Sequence, residues 1–250
     1  MKRKRRGYSR FIFLGLLVIG LFSAVLGGFR ILFQNLDFFQ IENIDIRGNQ
    51  NLEKEFLANL AKEMIGQNLF RISVREIEQK YENVIRIKEI KASRRLPNTL
   101  RITFQERKAI FYAKSKEGEL FPIDKDKIVL DGEVMYPGEI VPVVETTLPA
   151  KDFVAGSVIS DEFLDQVFCF YDQISDSNPE FMNRLSEFFP LEDEICMIEQ
   201  AVGYKIILGE NDLSEKIRRF TFVEKNRNFT HGSLIDLRFD NKLIVRTEEI

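Results

Sequence analysis

The stretch RRLPNTLRITFQER, residues 94–107, decides the fold. Past Pro97 and Asn98 it alternates, with Leu100, Ile102 and Phe104 on one side and Thr99, Arg101, Thr103 and Gln105 on the other. A period of two predicts a strand with one buried and one wet face. Proline presets φ and asparagine tolerates tight backbone, so Pro97-Asn98 is a turn and the strand is the second arm of a hairpin. Its first arm is VIRIKEIKASRR, 84–95. Arg94, Arg95, Glu106 and Arg107 crowd the hairpin ends. Such a cluster either binds an anion or flanks a half-exposed strand and pairs locally. We adopt the second reading, because a scaffold strand needs charged ends for solubility and edge protection.

Upstream, IENIDIRGN (41–49) alternates through Ile44 and Ile46 and stops at the turn signal Gly48-Asn49, which predicts a first strand. NLEKEFLANLAKEMIG (51–66) places Leu52, Phe56, Leu60 and Met64 at helical spacing, with Asn51 as cap and Gly66 as stop. SVREIEQKYENV (73–84) has Ser73 and Glu76 at capping-box spacing and a stripe through Val74, Ile77 and Tyr81. The order is β-α-α-β-β, over residues 38–111.

Further upstream the composition changes sharply. MKRKRRGYSR, residues 1–10, carries Lys2, Arg3, Lys4, Arg5, Arg6 and Arg10, and the first acid is Asp37, so the formal net charge of −3 hides a basic head on an acidic remainder. An acidic body lacks the basic face that nucleic acid requires. FIFLGLLVIGLFSAVLGGF (11–29) is an uncharged run close to the ~20 residues a membrane helix needs, and a span over 11–33 is expected. Basic residues before the run place the N-terminus in the cytoplasm and the rest outside. A cleavable signal peptide is the alternative, with Val25-Leu26-Gly27 as an imperfect cleavage site.

The second half, 112–246, reads as mixed strands and helices, followed by a tail at 247–250. DEFLDQVFCFYDQI (161–174) puts Phe163, Val167, Phe170 and Ile174 on one helical face. EICMIEQAVGYKIILG (194–209) is a hairpin around Val202-Gly203. DLSEKIRRFTFVEKN (212–226) opens with Asp212 and Glu215 at capping-box spacing. LIDLRFDNKLIVR (234–246) is a strand, a tight turn and a final strand, with Ile235, Leu237 and Phe239 on one face. Cys196 in a strand is a plausible buried hydrophobe. Cys169 falls opposite the apolar stripe of its helix, and a bond between the two cysteines stays open.

A basic head, one span and a β-α-α-β-β module ending in RRLPNTLRITFQERKAIF resemble the bacterial FtsQ/DivIB family, whose membrane-proximal module is a POTRA domain. Arg95, Pro97, Leu100, Ile102, Glu106 and Arg107 stand where the family's recurring residues do. Lys108, where proline is frequent, and VIRIKEI, where Pro-Trp-Val is common, depart from it. ELFPIDKDKIVL (119–130) resembles the family's strand, aspartate turn and strand, with Asp124 at the turn and the usual glycine missing. IVPVVE (140–145) sits where Leu-Pro-x-Leu is frequent, and Asp236-Leu237-Arg238-Phe239 resembles the Asp-Leu-Arg-Tyr/Phe strand of the second, β domain.

The expected fold is therefore α+β: a single transmembrane helix, a POTRA domain, and a C-terminal mixed α/β domain. No catalytic glycine-serine or phosphate-loop motif occurs, His231 is the single histidine, and Asp124-Lys125-Asp126 lacks the rest of a calcium loop. No enzyme, cofactor, metal or small-molecule substrate is expected. The resemblance implies a bitopic scaffold of the division machinery in the cytoplasmic membrane, binding single-span coiled-coil proteins of the FtsB and FtsL kind. The alternative is a POTRA-bearing secretion or outer-membrane assembly factor, which predicts POTRA repeats or a barrel region. With little sequence after it, the last strand is expected at a sheet edge open to a partner's strand. The candidate partner-binding residues are Phe239, Asn241, Leu243, Ile244, Val245 and Arg246; the roles of Phe239 and Asn241 are implied by the resemblance. Thr247 stands near the place of the family's tryptophan. The competing reading makes Phe239 a core residue.

Overall fold

The computed structural model describes residues 6–132, 141–191, 194–209, 211–239 and 242–247, with backbone alone at 6–11, 26 and 29–31. The chain forms two compact units that divide between Glu106 and Arg107. The division falls before the expected limit at Phe111, because that side chain is buried in the core of the second unit.

The first unit contains α1 (Arg6–Asn35), β1 (Asn43–Arg47), α2 (Lys54–Leu60), α3 (Val74–Gln79), β2 (Ile87–Arg95) and β3 (Thr99–Glu106). The opening stretch becomes β3, the central strand of the order β1-β3-β2, parallel to β1 and antiparallel to β2. Ile46 and Ala92 both stand opposite Ile102, and Leu100, Ile102 and Phe104 are buried in one core with Leu57, Ala61, Ile77 and Tyr81. On the wet face Arg101 Nε donates to Asp45 Oδ2 of its cross-strand neighbour at 2.8 Å. Gly48 ends β1 with φ +83°, and a Cβ there would lie 2.1 Å from the Phe104 carbonyl oxygen, so only glycine fits this turn.

The first helix of the module is shorter than its apolar spacing predicts. Residues 51–53 stay outside α2, Glu53 is extended, and Asn51 is not the cap. Lys62–Met64 form a separate 3-10 turn. The physical reason is that Glu106 claims the amides of residues 50–52. Phe56, expected in the buried stripe, is 45% exposed, and Leu57 and Ala61 take the core face instead. In α3 the expected cap forms, with Ser73 Oγ accepting from the Glu76 amide. Tyr81 donates to the Leu57 carbonyl at 2.8 Å, and burial pushes its phenol up to about 12.

Helix α1 extends through the apolar run. Among the described residues no helix is long and apolar enough to cross a membrane.

The second unit contains β4 (Ala109–Lys114), β5 (Leu120–Asp124), β6 (Val143–Glu145), α4 (Glu162–Ile174), α5 (Pro179–Met182), β7 (Leu185–Leu191), β8 (Glu194–Glu199), β9 (Lys205–Ile207), α6 (Leu213–Asn226), β10 (Leu234–Asp236) and β11 (Ile244–Arg246). Its described strands form one mixed sheet in the order β11-β10-β9-β8-β7-β6-β4-β5. Val167, Phe170 and Ile174 of α4 join Phe111, Phe188 and Phe220 in the core, with the Phe111 and Phe168 rings edge to face at 5.2 Å. Phe163 packs only at its margin, while Leu164 and Phe168 widen the buried face.

Asp161 caps α4 by accepting from the Leu164 amide at 3.0 Å. Asp212 does not cap α6, contrary to the capping-box spacing: its backbone is left-handed (φ 52°), whereas a side-chain N-cap requires an extended residue. Lys127 occupies the turn where the glycine is missing, at φ 60°. Its ammonium reaches Asp165 Oδ1 at 2.6 Å and lies over the Phe168 ring, a tie from the turn to α4 that glycine could not make. Both cysteines are free, Cys196 buried and Cys169 exposed, so the open possibility of a bond is not realised. Burial pushes the Cys196 thiol up to about 11.

Truncating Phe104 to alanine is expected to destabilise the first unit by ~3–5 kcal/mol. Thr103→Ala on the wet face is expected to cost under ~0.5 kcal/mol. Calorimetry of the two variants checks this; equal losses would mean that the register of β3 is wrong.

Candidate functional site

Arg94, Glu106 and Arg107 of the opening stretch are each engaged in their own units. Arg94 Nε donates to the Leu69 carbonyl at 2.6 Å and Nη2 to the Ile72 carbonyl at 2.8 Å. The Glu106 carboxylate accepts from three consecutive amides, Gln50 at 2.7 Å, Asn51 at 2.9 Å and Leu52 at 3.1 Å. Arg107 Nη1 donates to Asp124 Oδ2 at 2.5 Å and Asp126 Oδ2 at 2.8 Å. Asp124 Oδ1 accepts from the amides of Asp126 and Ile128, both at 2.9 Å. These groups fasten loops, and Arg95 stands exposed at the hairpin end.

A second polar cluster joins α6 to β8 and to the residues just before β7 and β9. Arg184 Nη1 donates to Glu224 Oε2 at 2.9 Å and Nη2 to Glu199 Oε1 at 3.3 Å, while Tyr204 donates its phenol hydrogen to Glu224. Burial raises the Tyr204 phenol above its ordinary value, with its bond to Glu224 acting in the same direction. Burial alone would raise the Glu224 carboxyl, but the bonds from Arg184 and Tyr204 outweigh it and hold the group below its ordinary range. A charge satisfied by this many donors is a structural clamp. His231 lies beside Gly203, its ring 2.8 Å from where a Cβ would stand. Among the described residues no cluster of histidine, cysteine and carboxylate side chains could hold a metal ion.

One end of the larger sheet lies at β11. β11 pairs antiparallel with β10, Val245 opposite Ile235 and Ile244 opposite Asp236, and no described strand lies on its other side. Ile235 belongs to the core, so its cross-strand partner Val245 carries the core face outward to the edge, where it is half exposed. Leu243 packs against the same core, Ile244 is half-buried and Arg246 is exposed. Phe239 is 43% exposed although Ile235 and Leu237 are fully buried, so the reading that makes it a core residue does not hold. Asn241 lies outside the described residues.

The Asp-Leu-Arg stretch explains how this edge is held. Leu237 enters the core while its neighbours project the other way, and Arg238 returns to Asp236 with Nε to Oδ1 at 3.0 Å and Nη2 to Oδ2 at 2.8 Å. Arg246 of β11 approaches the same carboxylate at 3.9 Å. Asp236 is fully buried; the sequence places it in the Asp-Leu-Arg stretch but gives it no role. A carboxylate two residues before an arginine, on the same face of an alternating stretch, was the available signal.

Comparison with known proteins matches this architecture. The model of the FtsQ-type POTRA domain matches residues 39–107, so the first unit contains a POTRA module of that type. DivIB of Clostridium botulinum strain Hall is 29% identical over 131 residues, 52% of this chain and 48% of its own length. FtsQ of Myxococcus fulvus is 26% identical over 187 residues, 75% and 64% of the two chains. FtsQ of Rickettsia conorii is 24% identical over 209 residues, 83% and 72%. The chain is thus similar to cell-division proteins named FtsQ and DivIB, and its residues 39–107 match an FtsQ-type POTRA domain. It spans about half the length of the first two curated relatives, both named DivIB.

The bonds from Arg238 hold the Asp236 carboxyl below its ordinary value of 3.8, against the opposing effect of burial. A depressed folded-state pKa contributes stability that is present above the unfolded value and is lost as pH falls through the folded one. The second unit is therefore expected to weaken as pH falls below about 3.8. Asp236→Asn is expected to flatten that acid limb and to cost ~1–3 kcal/mol at neutral pH. Melting temperature against pH for the two chains checks this; identical acid limbs would contradict the role given to Asp236.

Proposed function

We propose that the chain is a non-enzymatic, single-span scaffold of the bacterial division machinery in the cytoplasmic membrane. On this reading α1 crosses the bilayer over residues 11–33, the basic residues 1–10 stay in the cytoplasm, and both folded units lie outside. The uncharged run behind a basic head supports the span and its orientation. The division names of the relatives support the process.

The observation that carries the partner reading is the edge at β11. An edge strand offers unpaired backbone amides and carbonyls, and a partner strand laid against it gains a ladder of hydrogen bonds. Val245 would lengthen the apolar face on one side, while Arg246 and Ile244 select side chains on the other. Phe239, exposed beside this edge, supplies an aromatic anchor of the kind that dominates binding energy. The partners are single-span coiled-coil division proteins of the FtsB and FtsL kind, bound through Phe239, Asn241 and residues 243–246.

A reporter fused after Ile250 is expected to be active only outside the cytoplasm, and an active cytoplasmic fusion would overturn the topology. Phe239→Ala and Ile244→Pro are expected to abolish capture of the coiled-coil partner from membranes while circular dichroism and melting match the parent. Full capture by a folded Ile244→Pro chain would rule out β11 as the docking edge.

A further inference from the structure

The last carbonyls of a helix have no partners within it. In α1 they are closed by a segment far along the chain. Asn68 Nδ2 donates to the carbonyls of Phe33 and Leu36, each at 3.0 Å, while its Oδ1 accepts from the Phe70 amide at 2.9 Å. Gln34 donates to the Phe70 carbonyl at 3.2 Å, and Arg71 bonds the Asn35 side chain. The chain leaving the helix is held against the same segment, Leu69 donating to Phe39 and Ile41 to Gln67 at 2.9 Å each. The rings of Phe33, Phe39 and Phe70 pack together with centroids 5.0 to 5.6 Å apart. No free hinge is left between helix and module.

The depth of this junction follows from helix geometry. With the apolar run starting at Phe11, ~30 Å of hydrocarbon at ~1.5 Å per residue is used up by about Arg30. The headgroup layer adds ~5–7 Å on that side, which reaches Phe33 and the turn after it. At that level Leu36 is 40% and Phe38 69% exposed. Aromatic rings favour this interfacial layer.

We propose that Asn68 seats the POTRA module on the bilayer, with Phe38 and Leu36 in the phospholipid headgroup layer. The inference rests on the reading of α1 as a span. It makes the module a surface-bound body of fixed orientation, with phospholipid as the partner of its exposed aromatic turn. The capping amide is also irreplaceable in a specific way. Asn68→Asp keeps the acceptor for Phe70 but removes both donors and sets a negative charge at the negative end of the helix dipole.

The chain has no tryptophan, so single reporters are clean. The full chain carrying Phe22→Trp, Phe38→Trp or Phe70→Trp is reconstituted in phosphatidylcholine vesicles whose acyl chains are brominated either near the headgroup or near their ends. Phe22→Trp is expected to lose most emission to deep bromine; if it does not, the span itself fails. Given that result, Phe38→Trp and Phe70→Trp are expected to emit blue-shifted light and to be quenched most by shallow bromine. Asn68→Asp is expected to abolish quenching of Phe70→Trp. The pair Gln34→Ala and Arg71→Ala, which removes junction bonds only, is expected to reduce it, and it serves as the test if Asn68→Asp does not fold. Unquenched, water-like emission from Phe38→Trp beside a quenched Phe22→Trp would overturn the proposal. Full quenching of Phe70→Trp in folded junction variants would also overturn it.

Discussion

A carboxylate and a guanidinium on neighbouring residues hold the ends of the two units in place. Glu106, the last residue of β3, gathers three amides of the connection between β1 and α2. Without that acceptor, three consecutive donors would turn to water and the connection would lose its anchor to the central strand. Arg107, the first residue of the next unit, enters the turn after β5 and balances Asp124, whose side chain is almost wholly buried. A buried carboxylate is stable only when its charge is paired and its lone pairs are occupied. Asp124 meets that condition with Arg107 on one oxygen and two amides on the other. In this chain Glu106 and Arg107 thus each fasten a connection within their own unit.

The same division of labour runs through each unit. Apolar alternation sets the faces of the sheets and supplies most of the driving force. Polar residues then fix particular connections: Arg94 at the loop before α3, Lys127 between a turn and α4, Arg184 between α6 and two strands, Asp236 at the last turn. Nearly every charged group with several partners is consumed in this way. Among the described residues β11 has no strand beyond it, and the rings of Phe38, Phe222 and Phe239 stand exposed.

Much of this was legible because it depends on local pattern. The period of two in residues 99–106 and in β1 gave the first sheet its strands and buried face, and Ser73 was found as a cap because its hydroxyl accepts from an amide three residues away. The failures come from distance along the chain. Asn51 looked like a cap, but Glu106, remote in sequence, claims its amide. Asp212 had capping-box spacing, but left-handed backbone leaves the side chain without a cap bond. Phe239 shared the period of Ile235 and Leu237, yet β10 ends at Asp236 and the ring emerges. The edge position of β11 followed from strand order, and the Arg107–Asp124 pair could not be read from either residue alone.

Amide hydrogen exchange on the Glu106→Ala and Arg107→Ala chains tests the structural account of this pair most directly. Loss of an acceptor for charged hydrogen bonds is expected to speed exchange roughly tenfold or more at the amides of Gln50, Asn51 and Leu52 in the first variant. In the second, the amides of Asp126 and Ile128 are expected to accelerate while those of Gln50, Asn51 and Leu52 do not. Unchanged exchange at these amides in both variants would contradict the claim that Glu106 and Arg107 fasten the two units from within.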